Sequence, residues 1–135
     1  MKRQTGPWVR KAEEDVQAAR DLAARQPPLR DIVCFHCQQA VEKYLKALLQ
    51  ELSIHFPKTH DLEDLLDLLG PHASMLNRLR RRLDALTVFA VEYRYPIVRA
   101  STRQMQAALR TMERARAEVR TRLGLPASLL TGLPP

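Results

Sequence analysis

The sequence predicts an all-α protein, an antiparallel up-and-down bundle of four main helices with one additional short helix. Three observations support this. Apolar residues recur at three- and four-residue intervals, no segment alternates with the two-residue period of a strand, and Gly and Pro lie at segment edges. The length of 135 residues suits one domain with its own core. We expect the bundle to span residues 1–125 and a flexible tail to follow over residues 126–135.

Prolines bound the first two predicted helices. The first begins near Pro7, a residue suited to the first turn, and ends at Pro27 and Pro28. The second runs from about Asp31 to Ser53 and is apolar on more than one face. We therefore expect this second helix to lie at the centre of the bundle or to be shared with a second subunit.

The third predicted helix is short and the fourth is long. Thr59 or His60 caps the third, which Gly70 stops. The fourth starts after Ser74 and ends near Tyr93, because a proline three residues later disfavours helical geometry before it. The joint that follows is expected to be irregular.

The basic surface is concentrated near the C-terminal end, in the fifth predicted helix and the joint before it. A Ser101-x-x-Gln104 capping box starts this helix, and Gly124 suits its C-terminal cap. Residues 94–122 contain eight basic and two acidic residues, whereas residues 61–93 contain four and six. The net charge of +7 favours attraction to polyanions.

Membrane and secreted classes do not fit this sequence. No apolar run approaches the roughly 20 residues that span a bilayer, and the N-terminus lacks the core of a signal peptide. We expect a cytoplasmic protein that does not associate with membranes.

Cys34 and Cys37 form a Cys-x-x-Cys spacing that is best explained as two small buried thiols. Zinc needs further closely spaced ligands, and a redox dithiol needs a β-α-β context that this chain lacks. A reducing compartment also disfavours a disulfide. We predict no metal and no cofactor.

A polar stripe runs along the second helix. His36, Gln39 and Lys43 are spaced i, i+3 and i+7, so they share one face of a Leu- and Ala-rich segment. Such a stripe is solvated, paired or wrapped around a ligand, and a hydrated groove between helices is the simplest alternative. Lys58 and His60 add donors near a helix start, where backbone N–H groups favour anions. We therefore interpret these residues as candidate phosphate contacts.

Two further charged sets have simpler interpretations. Gln38, Glu42 and Lys46 are explained as exposed i, i+4 pairs. The arginines of residues 78–82 are explained as a solvated face, although such a cluster could also engage phosphates.

The joint at residues 93–99 is the remaining candidate site. It places Arg94 and Arg99 with two tyrosines at a helix break, and arginine binds phosphate bidentately while Tyr95 can stack on a base. The alternative is that the tyrosines only pack and that the arginine row continuing into the fifth helix is solvated.

Three blocks of this sequence resemble the HEPN family of small helical domains. They are Phe35 to Ala47 (FHCQQAVEKYLKA), Pro57 to Leu62 (PKTHDL) and Tyr93 to Pro96 (YRYP). The resemblance implies a helical bundle that forms a homodimer, with polar groups near the cleft between subunits. It also implies a minimal nucleotidyltransferase as partner, often in a toxin and antitoxin pair, and nucleotide or RNA as ligand.

The active ribonucleases of this family use an arginine followed, after four to six residues, by a histidine. The arginine steadies the phosphate and the histidine handles protons, without a metal. Here Arg94 matches the arginine, but Arg99 stands where the histidine would be, and no histidine follows His72. Because arginine stays protonated near neutral pH, it cannot serve as the general base.

The resemblance therefore favours a protein that binds nucleotide or RNA phosphate and acts with a partner, without full ribonuclease activity. Its candidate contacts are His36, Gln39, Lys43, Lys58, His60, Arg94, Tyr95 and Arg99. Two alternatives stay open. One is a metal-independent endoribonuclease toxin in which His36 or His60 replaces the missing base and Arg94 remains catalytic. The other is a purely structural adaptor.

Overall fold

All regular structure in the described residues is helical. The computed structural model describes residues 1–92, 95–96 and 99–127. A 3-10 turn, Gly70–Ala73, joins the third helix to the fourth. The α-helices are α1 (Thr5–Ala24), α2 (Arg30–Glu51), α3 (Leu62–Leu69), α4 (Ser74–Asn77), α5 (Arg80–Val91) and α6 (Thr102–Arg122). The all-α prediction is confirmed.

Helix α1 begins two residues before the predicted Pro7. Thr5 is fully buried, and its hydroxyl donates to Glu51 Oε1 at the far end of α2 over 2.9 Å. This contact orders the first turn, where Pro7 is tolerated because its missing N–H has no helical acceptor there.

Helix α2 lies at the centre of the bundle, as its sequence predicts. It packs against α1, α3, α5 and α6. Buried residues cover several of its faces, including Val33, Tyr44 and Leu48. A helix surrounded on several sides needs apolar residues beyond a single stripe.

The prediction of one continuous fourth helix was wrong. Residues in this region form α4 and α5, separated by Arg78 and Leu79. The Asn77 side chain donates to the carbonyl oxygens of Gly70 and Ala73 and accepts from Arg80. These bonds give the backbone an alternative to a continued helix.

Helix α3 is capped by neither of the predicted residues. Asp61 is the N-cap, and its carboxylate accepts from the backbone N–H of Glu63 over 2.9 Å. The Thr59 hydroxyl instead accepts from the N–H of Asp61. Gly70, at φ 51°, ends the helix as predicted.

The predicted start and end of the last helix are confirmed. Ser101 and Gln104 form both bonds of a capping box at α6. Gly124 adopts φ 77°, which suits a residue just beyond a helix. Of the predicted tail, residues 128–135 lie outside the described residues.

The only tryptophan of the sequence links α1 to the connection before α3. The Trp8 ring meets Phe56 edge to face at 5.8 Å between centroids, and the ammonium of Lys46 lies 5.7 Å from the Trp8 ring. Such contacts combine apolar burial with a cation–π attraction.

Across the described part of the chain, no helix has both the length and the apolar character for crossing a bilayer.

Candidate functional site

The two cysteines lie in the core rather than at a site. Cys34 and Cys37 are free thiols and fully buried. Burial, with a smaller effect of the Asp31 charge, raises the pKa of Cys34 to about 12, and burial also raises the pKa of Cys37. The interpretation as buried thiols is confirmed, and no group of three or more potential metal ligands occurs among the residues described.

Two members of the polar stripe on α2 are paired with one carboxylate of α1. Asp15 lies 2.8 Å from His36 Nδ1 through Oδ1 and accepts from Lys43 Nζ over 2.5 Å through Oδ2. Its side chain is nearly buried, whereas those of His36 and Lys43 are about three-quarters buried. The carboxylate neutralises charge on the stripe and fixes the orientation of the imidazole.

Asp15 is a residue that the sequence reasoning missed. It follows Ala12 by three residues and precedes Ala19 by four, and both alanines are fully buried. An acid on the buried face of an amphipathic helix requires a partner, which is the signal that could have identified it.

Gln39, the third member of the stripe, is hydrogen-bonded to a second cluster. Gln39 Nε2 donates to Gln38 Oε1 over 2.7 Å, and Gln38 Nε2 donates to the backbone carbonyl of His60 over 3.0 Å. Gln39 is thereby connected to the loop that precedes α3.

The interpretation of Gln38, Glu42 and Lys46 as exposed pairs was wrong, because all three are buried. The Glu42 carboxylate accepts from Lys46 Nζ over 3.0 Å and from Gln38 Nε2 over 3.3 Å. Trp8 and the loop at His60 cover this face of α2. A buried carboxylate needs such partners to remain stable.

His60 joins this buried cluster to the surface. Its Nδ1 lies 3.0 Å from Glu42 Oε1, and its side chain is 66% exposed whereas that of Glu42 is 5% exposed. A carboxylate at Nδ1 orients the ring and leaves Nε2 for solvent or a ligand. The arrangement can hold or transfer a proton at that nitrogen.

Lys58 is exposed, and within the described ranges it forms no ion pair or hydrogen bond. The helix start beside it is acidic, because Asp61 caps α3 and Glu63 and Asp64 follow in the first turn. These carboxylates already complement the helix dipole. The N-terminus of α3 therefore offers an anion less than its sequence suggested.

Arg99 is exposed beside a hollow of about 320 Å³ that residues 27–32 line at the start of α2. Arg30 Nε donates to the carbonyl of Ala100 over 2.8 Å, and Asp31 Oδ1 accepts from the Ala100 N–H over 2.6 Å. Among the residues that the structure describes, no side chain caps α2, so the N–H groups of its first turn lie near this hollow without a side-chain cap from those residues. The hollow thus combines two guanidinium groups with an uncapped helix start.

The predicted site residues do not form one cluster. The structure joins His36 with Lys43 and connects Gln39 with His60, whereas Arg99 lies at the start of α2. Tyr95 is exposed. Tyr93 and Arg94 lie outside the described residues.

A largely buried ionic cluster at Tyr44 of α2 was also missed. Arg116 donates to Glu13 through Nε over 2.7 Å, Tyr44 donates to the same carboxylate, and Arg120 donates to the Tyr44 hydroxyl over 3.2 Å. Arg116 and Arg120 also donate to the carbonyl oxygens of residues 127 and 126. These bonds connect three helices and the segment after α6.

Known proteins support the fold independently. A sequence model of the HEPN domain matches residues 6–122. The crystal structure of an archaeal HEPN homologue superposes with a TM-score of 0.67 and 24% identity, covering 91% of this chain and 99% of that one. A search of curated proteins finds no match.

Proposed function

Because the chain belongs to the HEPN family, we propose that it binds nucleotide or RNA phosphate at a homodimer cleft. We further propose that it acts in the cytoplasm with a minimal nucleotidyltransferase, as in a toxin and antitoxin pair, and lacks full ribonuclease activity.

The hollow beside Arg99 is the observation that carries the ligand part of this proposal. The guanidinium of Arg99 is solvent-exposed next to Arg30 and next to the start of α2, which no side chain of the described residues caps. Guanidinium groups and free N–H donors at a helix start are the two features that bind phosphate most readily. Asp31 opposes an anion there, but its carboxylate is engaged by the Ala100 N–H.

The pairing of the α2 stripe with Asp15 supports a smaller contribution of His36 and Lys43 to phosphate binding. Asp15 already pairs with both, so a phosphate would compete with this carboxylate for the same donors. We assign the main electrostatic contribution to Arg99 and Arg94, and an orienting contribution to the stripe and to Tyr95.

Weak or absent ribonuclease activity follows from Arg99. A guanidinium can hold a phosphate but cannot accept a proton from a ribose 2′-hydroxyl near neutral pH. The joint would then bind the substrate without activating it.

Titration of the pure protein with ATP, GTP and a short RNA at several salt concentrations tests the ligand part. We expect affinity to rise as salt falls, and Arg99→Ala to weaken binding about tenfold, since a charge-assisted phosphate bond contributes about 1.5 kcal/mol. Arg10→Ala is the matched control, because Arg10 is an exposed arginine of α1. Absence of binding at low salt would refute the ligand part.

The partner and dimer parts need separate measurements. Sedimentation equilibrium of the pure chain should give twice the mass of 15.5 kDa. Co-expression with a nucleotidyltransferase encoded by a neighbouring gene should yield a stable complex. A monomer at high concentration would rule out the homodimer, and the lack of such a gene would count against the partner.

The Glu42–His60 pair favours one second candidate, a metal-independent endoribonuclease. The buried carboxylate orients an exposed imidazole, as a general base requires. The candidate predicts RNA cleavage that persists in EDTA, is lost in His60→Gln and survives in the exposed control His72→Gln. Intact RNA after long incubation with concentrated protein would exclude it.

A further inference from the structure

Helix α6 packs closely on α2 but only loosely on α5, and an open groove runs between α5 and α6. Its hollow has a volume of about 300 Å³. The floor is apolar, formed by Leu86, Phe89 and Ala108, and Arg82 and Arg110 line its opposite helices. We call this feature the α5–α6 groove.

A second hollow, of about 210 Å³, lies one turn further along α6, between that helix and the α4 region. Leu79 and the exposed Met75 line one side of it, and Arg114 and Glu118 line the other. The lining residues of α6 extend from Gln104 to Thr121 across both hollows. At 1.5 Å per residue this is about 25 Å, the length of a helix of five turns. An elongated occupant fits this shape better than a small molecule.

The arginines beside the groove lack acidic partners. Arg82, Arg110 and Arg114 are exposed, and in the parts of the chain that the structure describes none forms an ion pair or hydrogen bond. Some arginines elsewhere are engaged, as Arg20 is with Glu113 through two bonds of 2.7 Å, whereas the exposed Arg10 on α1 forms no such bond within the described residues. Thr111, a buried residue of the lining, also forms no side-chain hydrogen bond within those parts.

We propose that the α5–α6 groove docks an acidic amphipathic helix of another protein. Apolar side chains of that helix would fill the two hollows, and carboxylates on its flanks would pair with Arg82, Arg110 and Arg114. Recognition of this kind uses anchors spaced i, i+3, i+4 and i+7 on one face of the docked helix. Complementary charge at the edges provides specificity.

Other occupants fit the groove less well. RNA bases need an exposed ring face to stack on, and Phe89, the one aromatic residue of the lining within the described part of the chain, is 7% exposed. A second copy related by a two-fold axis would bring like arginines together. Residues 128–135 of this chain contain neither Asp nor Glu, so this segment cannot supply side-chain carboxylates to the arginines beside the groove.

The test is a display selection on the full-length protein. The library fixes leucine at i, i+3, i+4 and i+7 of an 18-residue helix and randomises the flanking positions between Glu and Lys. We expect Glu to be enriched on the wild type and Lys to be enriched on the double variant Arg82→Glu, Arg110→Glu. Ala107→Trp, which places an indole at an exposed lining position, should abolish enrichment. Arg10→Glu is the matched control and should behave as wild type.

Three results would overturn the proposal. They are enrichment of Lys or of neither residue on the wild type, dissociation of a dimer by Ala107→Trp in sedimentation, or loss of oligouridine binding in the double variant without any selected peptide. The second would assign the groove to a second copy and the third to RNA. Because none of these substitutions touches Arg99, this proposal and the phosphate-binding function can fail separately.

Discussion

Helix α6 carries two sets of arginines that have the same side chain but opposite surroundings. Arg116 and Arg120 are buried and engaged by Glu13, Tyr44 and the backbone that follows the helix. Arg110 and Arg114 are exposed, and within the described residues they contact no acid. The difference teaches that the neighbouring helix, not the local sequence, decides whether an arginine holds the fold together or remains for a partner.

The largest expected effect is the loss of Arg116. Arg116→Met should lower the free energy of unfolding by about 3 kcal/mol, because Glu13 would lose its closest cation in a partly buried site. Urea denaturation measures the change. Arg110→Met, at an exposed position of the same helix, is the control and should shift the midpoint only slightly. Equal midpoints for all three proteins would remove the distinction between the two sets.

The next largest expected loss of stability comes from replacing Glu13, and this loss depends on pH. Burial opposes ionisation of this carboxyl, but hydrogen bonds from Arg116 and Tyr44 outweigh it and lower the pKa below 4.5. A lowered pKa stabilises the fold above the unfolded-state value, and this contribution is lost as pH falls through the folded-state value. Glu13→Gln should cost about 2 kcal/mol at pH 7.

The cost of Glu13→Gln should shrink as the solution is acidified towards pH 3. Denaturation of both proteins across this range measures it. A difference that stays constant with pH would show that the cost comes from packing rather than charge.

Replacing Tyr44 should lower the stability of the fold by a smaller amount. Burial and the bond to Glu13 raise the pKa of its phenol, so its contribution is complete below the ordinary value of 10 and is lost as pH rises through the folded-state value. Tyr44→Phe removes the bond that the hydroxyl donates to Glu13 and the longer bond that it accepts from Arg120, and should cost about 1 kcal/mol at pH 7. Thermal unfolding of both proteins measures this. An unchanged melting temperature would mean that Arg116 and Arg120 satisfy Glu13 without the phenol.

The smallest effect is expected at the exposed set. Arg114 lies four residues from both Arg110 and Glu118, so repulsion and attraction largely cancel, and Arg114→Gln should change stability by at most a few tenths of a kcal/mol at low salt. Any such change should vanish at 1 M salt, where screening is nearly complete. A loss of stability that is independent of salt would instead place Arg114 among the structural arginines.

The sequence was sufficient for most of the fold. Local signals act within a few residues, so the capping box at Ser101 and the stop at Gly70 could be predicted. The central position of α2 followed from its several apolar faces. The break at Arg78 and Leu79 could not be predicted, because it depends on the bonds that the Asn77 side chain makes to preceding carbonyls.

The candidate site was less predictable, because its partners come from distant positions. Asp15 lies 21 residues before His36, and Glu13 lies 103 residues before Arg116. Spacing within α2 identified the polar stripe but gave no information on which helix would face it. Glu42 was assigned to the surface for the same reason, since Trp8 and the loop at His60 cover it only in the fold.

Trp8 gives the protein an intrinsic fluorescence probe. As the only tryptophan, it produces the entire indole emission of the protein, and its ring lies against Phe56 and below the ammonium of Lys46. Since Glu42 holds that ammonium, fluorescence intensity reports the integrity of the Glu42 cluster without any label. Ligand titrations followed by this emission would distinguish events at the Glu42 cluster from events at the α5–α6 groove.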